Sequence, residues 1–243
     1  MEVRYEKHWS GHLNRFMEYK IYGHSGRPVL FVPCQAGRFW DFEGFNMDKT
    51  WAPWIESGEV MVFACDSIDN EAWAALGADK RWRIENHEKW FNYITTELVP
   101  AINYHSGRKD IITFGASMGG MHAANLYFRR PDLFDRVLAL SGIYTADYGF
   151  DGYMDEVVYQ NSPVHYLANM PADHPYVYEY HQHKGVICVG QGAWEQPETS
   201  RRIDEICHEK GIHLWVDYWG YDVNHDWPWW HKQVPYFLPY LLG

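Results

Sequence analysis

Short runs of β-branched and aromatic residues recur along the chain, at Pro28–Pro33, Val60–Cys65, Ile111–Phe114, Arg136–Leu140, Gly185–Val189 and Ile212–Val216. Most are continuous rather than alternating, which is the pattern of parallel strands covered on both faces. Between them the period changes to that of a helix. Trp90, Ile94, Leu98 and Ile102 mark one over residues 85–104, and Ile203 and Ile206 mark another over 197–210. Residues 118–129 follow a glycine-rich turn and read as helix until Pro131 stops them. The first twenty-two residues alternate instead, as in Glu18-Tyr-Lys-Ile-Tyr22, and predict antiparallel strands. Strand and helix repeated in this way predict an α/β fold: a mostly parallel sheet with helices on both faces. Residues 144–183, rich in Tyr, Asp, His and Pro, have no clean period and read as an irregular insertion between two strands. No repeat or linker divides the 243 residues, so a single domain over 1–243 is expected.

Composition narrows the function. Asp and Glu outnumber Lys and Arg by 32 to 21, a net charge of −11, which argues against nucleic acid or an anionic membrane as partner. No apolar run approaches the length of a membrane span, and the charged opening MEVRYEKHWS is not a secretory signal, so a cytoplasmic protein is expected. The four cysteines, Cys34, Cys65, Cys188 and Cys207, have no CxxC spacing and read as buried free thiols rather than a zinc site or disulfide framework. Aromatic residues make up 18% of the chain, enough to line a pocket as well as a core.

The strongest chemical signal is Ile111-Ile-Thr-Phe-Gly-Ala-Ser-Met-Gly-Gly120, a G-x-S-x-G placed directly after a strand and before a helix. Such a turn holds a serine hydroxyl exposed, here that of Ser117, while the flanking glycines let strand and helix approach each other. The pattern alone recurs in glycine-rich turns without chemistry; the strand and helix around it give it meaning. A serine nucleophile needs a base, and the base needs a carboxylate. His225 lies in the loop after the last predicted strand. Glu195 ends the glycine-rich loop 190–194, with Asp147, Asp151 and Asp155 as rivals. The oxyanion amides are expected from Met118 and from Gln35, with Ala36 close behind. Phe39, Trp40 and Trp194 flank these loops and are candidate pocket walls, whereas Trp51, Trp54, Trp227, Trp229 and Trp230 read as core. His122 reads as packing or as support behind the site rather than as the base, and His174, His181 and His183 read as surface histidines rather than a metal site.

Gly115-Ala-Ser-Met-Gly-Gly120, Phe31-Val-Pro-Cys-Gln-Ala-Gly-Arg-Phe39, Cys65-Asp-Ser-Ile-Asp-Asn-Glu-Ala-Trp73 and Asp222-Val-Asn-His-Asp-Trp-Pro-Trp-Trp230 together resemble the putative-esterase family of α/β-hydrolases. Its members include S-formylglutathione hydrolases, feruloyl and acetyl-xylan esterases and mycolyltransferases. The resemblance covers almost the whole chain. It implies an α/β-hydrolase fold, carboxylic-ester hydrolysis and a triad of Ser117, His225 and Glu195, although the family's acid is usually Asp. No metal or organic cofactor is expected. The expected partner is a small-molecule ester, an acylated sugar among the candidates, with self-association left open. The rivals are an acyltransferase using the same machinery and a catalytically idle carbohydrate-binding or interaction module.

Overall fold

A computed structural model describes residues 1–243. Eight strands form one sheet: β1 (Val3–Ser10), β2 (Arg15–Tyr22), β3 (Arg27–Val32), β4 (Val60–Cys65), β5 (Ile111–Ala116), β6 (Phe134–Leu140), β7 (Lys184–Val189) and β8 (Trp215–Tyr218). Eleven helices accompany them: α1 (Asp41–Gly44), α2 (Met47–Glu56), α3 (Lys80–Tyr93), α4 (Val99–Ser106), α5 (Met118–Arg129), α6 (Asp147–Phe150), α7 (Glu156–Gln160), α8 (Pro163–Asn169), α9 (Pro175–Tyr180), α10 (Glu198–Glu209) and α11 (Trp227–Leu242). No helix is long and apolar enough to cross a membrane.

The sheet order is β1-β2-β4-β3-β5-β6-β7-β8, antiparallel at β1–β2 and β2–β4 and parallel everywhere else. This is the α/β-hydrolase architecture, with the antiparallel strands at its N-terminal edge. Alternate residues of each central strand feed opposite cores. Val29 and Phe31 pack with Trp51, Phe114, Trp230 and Phe237 on the side of α2 and α11. Leu30 and Val32 pack with Trp90, Ile94 and Leu98 on the side of α3. Winding reverses between β3 and β5, whose ends are level because Val32 pairs with Gly115. The loops after β3 and β5 therefore meet across a crevice at the carboxyl ends of the strands, where open α/β sheets hold their ligands.

Three expectations change. The final strand runs from Trp215 to Tyr218, not over 212–216. Gly211, at φ +67°, turns the chain out of α10, and the Ile212 amide bonds back to Cys207, so the apolar run is partly a helix seal. The helix over 85–104 starts earlier, at Lys80, where the Asp79 carboxylate accepts from Trp82 N–H, and it passes through a π turn at Ile94–Leu98. The insertion is not irregular, since it contains α6 to α9. Each has seven residues or fewer, too short to show a period, and their starts are fixed locally by the Asp155 carboxylate, His174 Nδ1 and Pro163. All four cysteines are free, and all but Cys34 are fully buried.

Candidate active site

Ser117 sits between β5 and α5 with φ 57° and ψ −128°, a conformation that costs energy for any L side chain. The glycines make it attainable. A Cβ on Gly115 would lie 2.3 Å from the carbonyl of Gly119, and one on Gly119 would lie 2.3 Å from the carbonyl oxygen of Val32. The Ser117 amide donates to Leu140 O of the neighbouring strand, which pins the turn.

Ser117 Oγ lies 2.9 Å from His225 Nε2, and His225 Nδ1 lies 3.2 Å from Glu195 Oε2. A carboxylate only accepts, so Nδ1 carries the proton and Nε2 presents its lone pair to the serine. The Glu195 side chain is 1% exposed, yet both of its oxygens have partners. Oε1 accepts from Ser141 Oγ at 2.6 Å and from Gly190 N–H at 3.2 Å. Ser141 in turn accepts from Trp230 Nε1 at 2.9 Å. The acid loop and the histidine loop are tied together as well. Gly192 N–H donates to Val223 O, His225 N–H to Ala193 O, and Ala193 N–H to Asn224 Oδ1. A Cβ on Gly190 would lie 2.3 Å from Val223 O, so this closeness requires glycine.

The rival carboxylates are elsewhere. Asp155 caps α7 and pairs with Arg81, Asp147 accepts from Thr145, and Asp151 faces solvent beside Lys80. None bonds to His225.

Met118 and Gln35 flank Ser117 in one cavity of about 220 Å³, together with Met121, Ser141, Ile143, Tyr148, Trp194, Gln196 and His225. Met118 is the first residue of α5, so its N–H is unspent within the helix. In the β3 loop the Ala36 N–H, at φ +58°, donates to Asp69 Oδ2, while Gln35 N–H has no protein acceptor. Asp69 is held from behind by buried His122, whose Nε2 is 2.9 Å away. Trp194 stands at the cavity mouth, 88% exposed and at φ +67°.

Phe39 and Trp40 do not line this cavity. Arg38 pairs with Asp66, and the Phe39 amide donates to the same carboxylate, which turns the segment toward β1. There Phe39 packs on Tyr5 and Trp40 lies under the Arg38 guanidinium. The apolar wall comes instead from Met121 and Ile143 beside Tyr148, which the sequence reading missed. Ser141 and Trp230 behind Glu195 were missed too, because only the pairing of β6 with β7 and the packing of α11 against the sheet bring them there.

The sequence profile of the family described as "Putative esterase" matches residues 10–241. The chain belongs to this family. No curated protein is similar enough in sequence to match it. Among solved structures, a ferulic acid esterase superposes with a TM-score of 0.77 at 17% identity, covering 99% of this chain and 98% of the other. S-formylglutathione hydrolase from Agrobacterium tumefaciens gives 0.74 at 15%, covering 99% and 95%. The fluorophosphonate-binding serine hydrolase FphF of Staphylococcus aureus gives 0.71 at 12%, covering 100% and 98%. The esterase thus shares its fold with these proteins over nearly its whole length, and it is an enzyme of the serine hydrolase class.

Proposed function

We propose that this esterase hydrolyses small-molecule carboxylic esters through an acyl-enzyme on Ser117. The observation that carries the reading is the 2.9 Å approach of His225 Nε2 to Ser117 Oγ, with buried Glu195 behind the ring. Ser117 Oγ attacks the ester carbonyl carbon while Nε2 takes its proton. Glu195 keeps the other ring proton on Nδ1 and stabilises the imidazolium. The carbonyl oxygen becomes an oxyanion between the amides of Met118 and Gln35, fixed donors that need no reorganisation as charge develops. The C–O bond to the alcohol then breaks, and Nε2–H protonates the departing oxygen. Water enters, gives a proton to Nε2 and attacks the acyl carbon, and Ser117 recovers its proton as the acid leaves. Ferulate esters and S-formyl thioesters, which name two of the structural neighbours, are the first substrates to assay.

The test is Ser117→Ala. A fluorophosphonate probe labels the wild type at Ser117 and leaves the variant unlabelled. Ester turnover in the variant falls to the ~10³–10⁴-fold residual acceleration that an oxyanion hole and binding supply alone. Turnover near the wild-type rate in a folded variant would overturn the triad.

A further inference from the structure

A second cavity, of about 590 Å³, adjoins the first and shares Gln35, Met118 and Tyr148 with it. Its remaining walls include Trp73, Leu76, Lys80, Arg83 and Asp151, but not His225. That asymmetry assigns it to one arm of the substrate. The departing alcohol must sit within reach of His225 Nε2 to be protonated, whereas the carbonyl oxygen sits at the Gln35 and Met118 amides. A chamber that opens on those amides and does not touch the histidine is on the acyl side.

Its charge is unusual. Arg83 is 2% exposed, with Nε donating to Ala72 O at 2.9 Å and Nη2 to Trp73 O at 2.6 Å. Nη1 has no protein partner, no carboxylate lies within 4.0 Å of the guanidinium, and the Phe150 ring lies 4.6 Å from its central carbon. A buried guanidinium with no carboxylate in contact is costly, and burial pushes its pKa below the usual arginine value, only partly offset by the more distant Asp151. Lys80 adds a second cation. It is paired only with Asp151, at 3.6 Å, and that carboxylate is 84% exposed, so the pair is weak and readily exchanged for a better acceptor.

Resting on the esterase reading above, we infer that this chamber binds a carboxylate at the far end of the acyl group, so that the preferred substrates are hemiesters of dicarboxylic acids. The acyl chain crosses the lip formed by Met118 and Tyr148. Its terminal carboxylate takes the free Nη1 of Arg83 and the ammonium of Lys80. Both cations act only in binding, and the chemistry at Ser117 is unchanged.

The experiment compares 4-nitrophenyl hydrogen glutarate with its neutral methyl ester. The expected result is a kcat/KM about tenfold or more higher for the acid in the wild type, the effect of one charge-assisted hydrogen bond. In Lys80→Met the ratio collapses toward one, because Asp151 then faces the substrate carboxylate unpaired. Arg83→Met is a second variant, checked for folding because two buried carbonyls lose their donor. Lys49→Met, on α2, keeps the wild-type ratio. A ratio near one in the wild type, or a ratio that neither chamber variant moves, overturns the inference. Hydrolysis of the neutral ester that falls to the residual level in Ser117→Ala leaves the triad standing in either case. Should neither ester turn over, calorimetry with glutarate decides: binding that weakens in Lys80→Met upholds the chamber, and no binding overturns it.

Discussion

Glu195 shows how one residue is held for the task proposed for it. Its buried carboxylate has a partner for each oxygen, and one of them, Ser141, is itself fixed by the Trp230 indole. Glu195→Gln keeps the shape but offers Nδ1 a donor, which favours the tautomer with its proton on Nε2, where it is useless to Ser117. We expect kcat to fall by up to ~10⁴ with little change in the thermal midpoint. Asp147→Asn, made as a control, leaves kcat at the wild-type level. A milder change tests the support. Ser141→Ala strips one bond from Glu195 and leaves the buried Trp230 N–H without a partner, which costs roughly 1–3 kcal/mol of stability, read as a lower urea midpoint. Residues announced by local chemistry were legible in the sequence. Ser117 was, because its glycines and flanking elements lie in one segment, and so were His225 and Glu195, because each follows a strand. Ser141 was not, since its role exists only once β6 and β7 are side by side.

At the scale of elements, the turn between β5 and α5 is among the tightest joints in the molecule. Gly119 lies against the carbonyls of Val32 and Pro33, so α5, β3 and β5 approach as closely as backbones can. Gly119→Ala would place a methyl group 2.3 Å from Val32 O, and rigid strands on either side cannot give way. We expect at least ~3 kcal/mol of destabilisation, or no soluble protein, on thermal denaturation. Gly44→Ala in α1 is the matched control, since a Cβ there meets nothing within 4 Å; its midpoint stays the same or rises slightly. Long elements were readable from their periods, and five of the six central strands lie where the apolar runs put them. Helices α6 to α9 were not, because one or two turns held by an Asp, a His or a Pro leave no repeat to detect. Phe39 and Trp40 were misplaced for a related reason: the Arg38–Asp66 ion pair, between residues 28 apart in sequence, decides which way that loop turns.

The whole molecule responds to acid through its buried histidines. His8, His87, His183 and His231 all have pKa values pushed below the ordinary histidine value, in each case chiefly by burial. His87 is the extreme case, 1% exposed, stacked on His122 and held well below. Well above pH ~6.5 these rings are neutral in both folded and unfolded chains and add no pH dependence. Below it the unfolded chain takes up protons that the folded chain refuses, so stability falls as pH falls, by up to ~1.4 kcal/mol per pH unit for His87. His87→Phe removes that contribution while keeping a ring in the stack. Urea midpoints measured between pH 7.5 and 5.5 should therefore decline less steeply in the variant than in the wild type, and equal slopes would show that His87 is not the sensor.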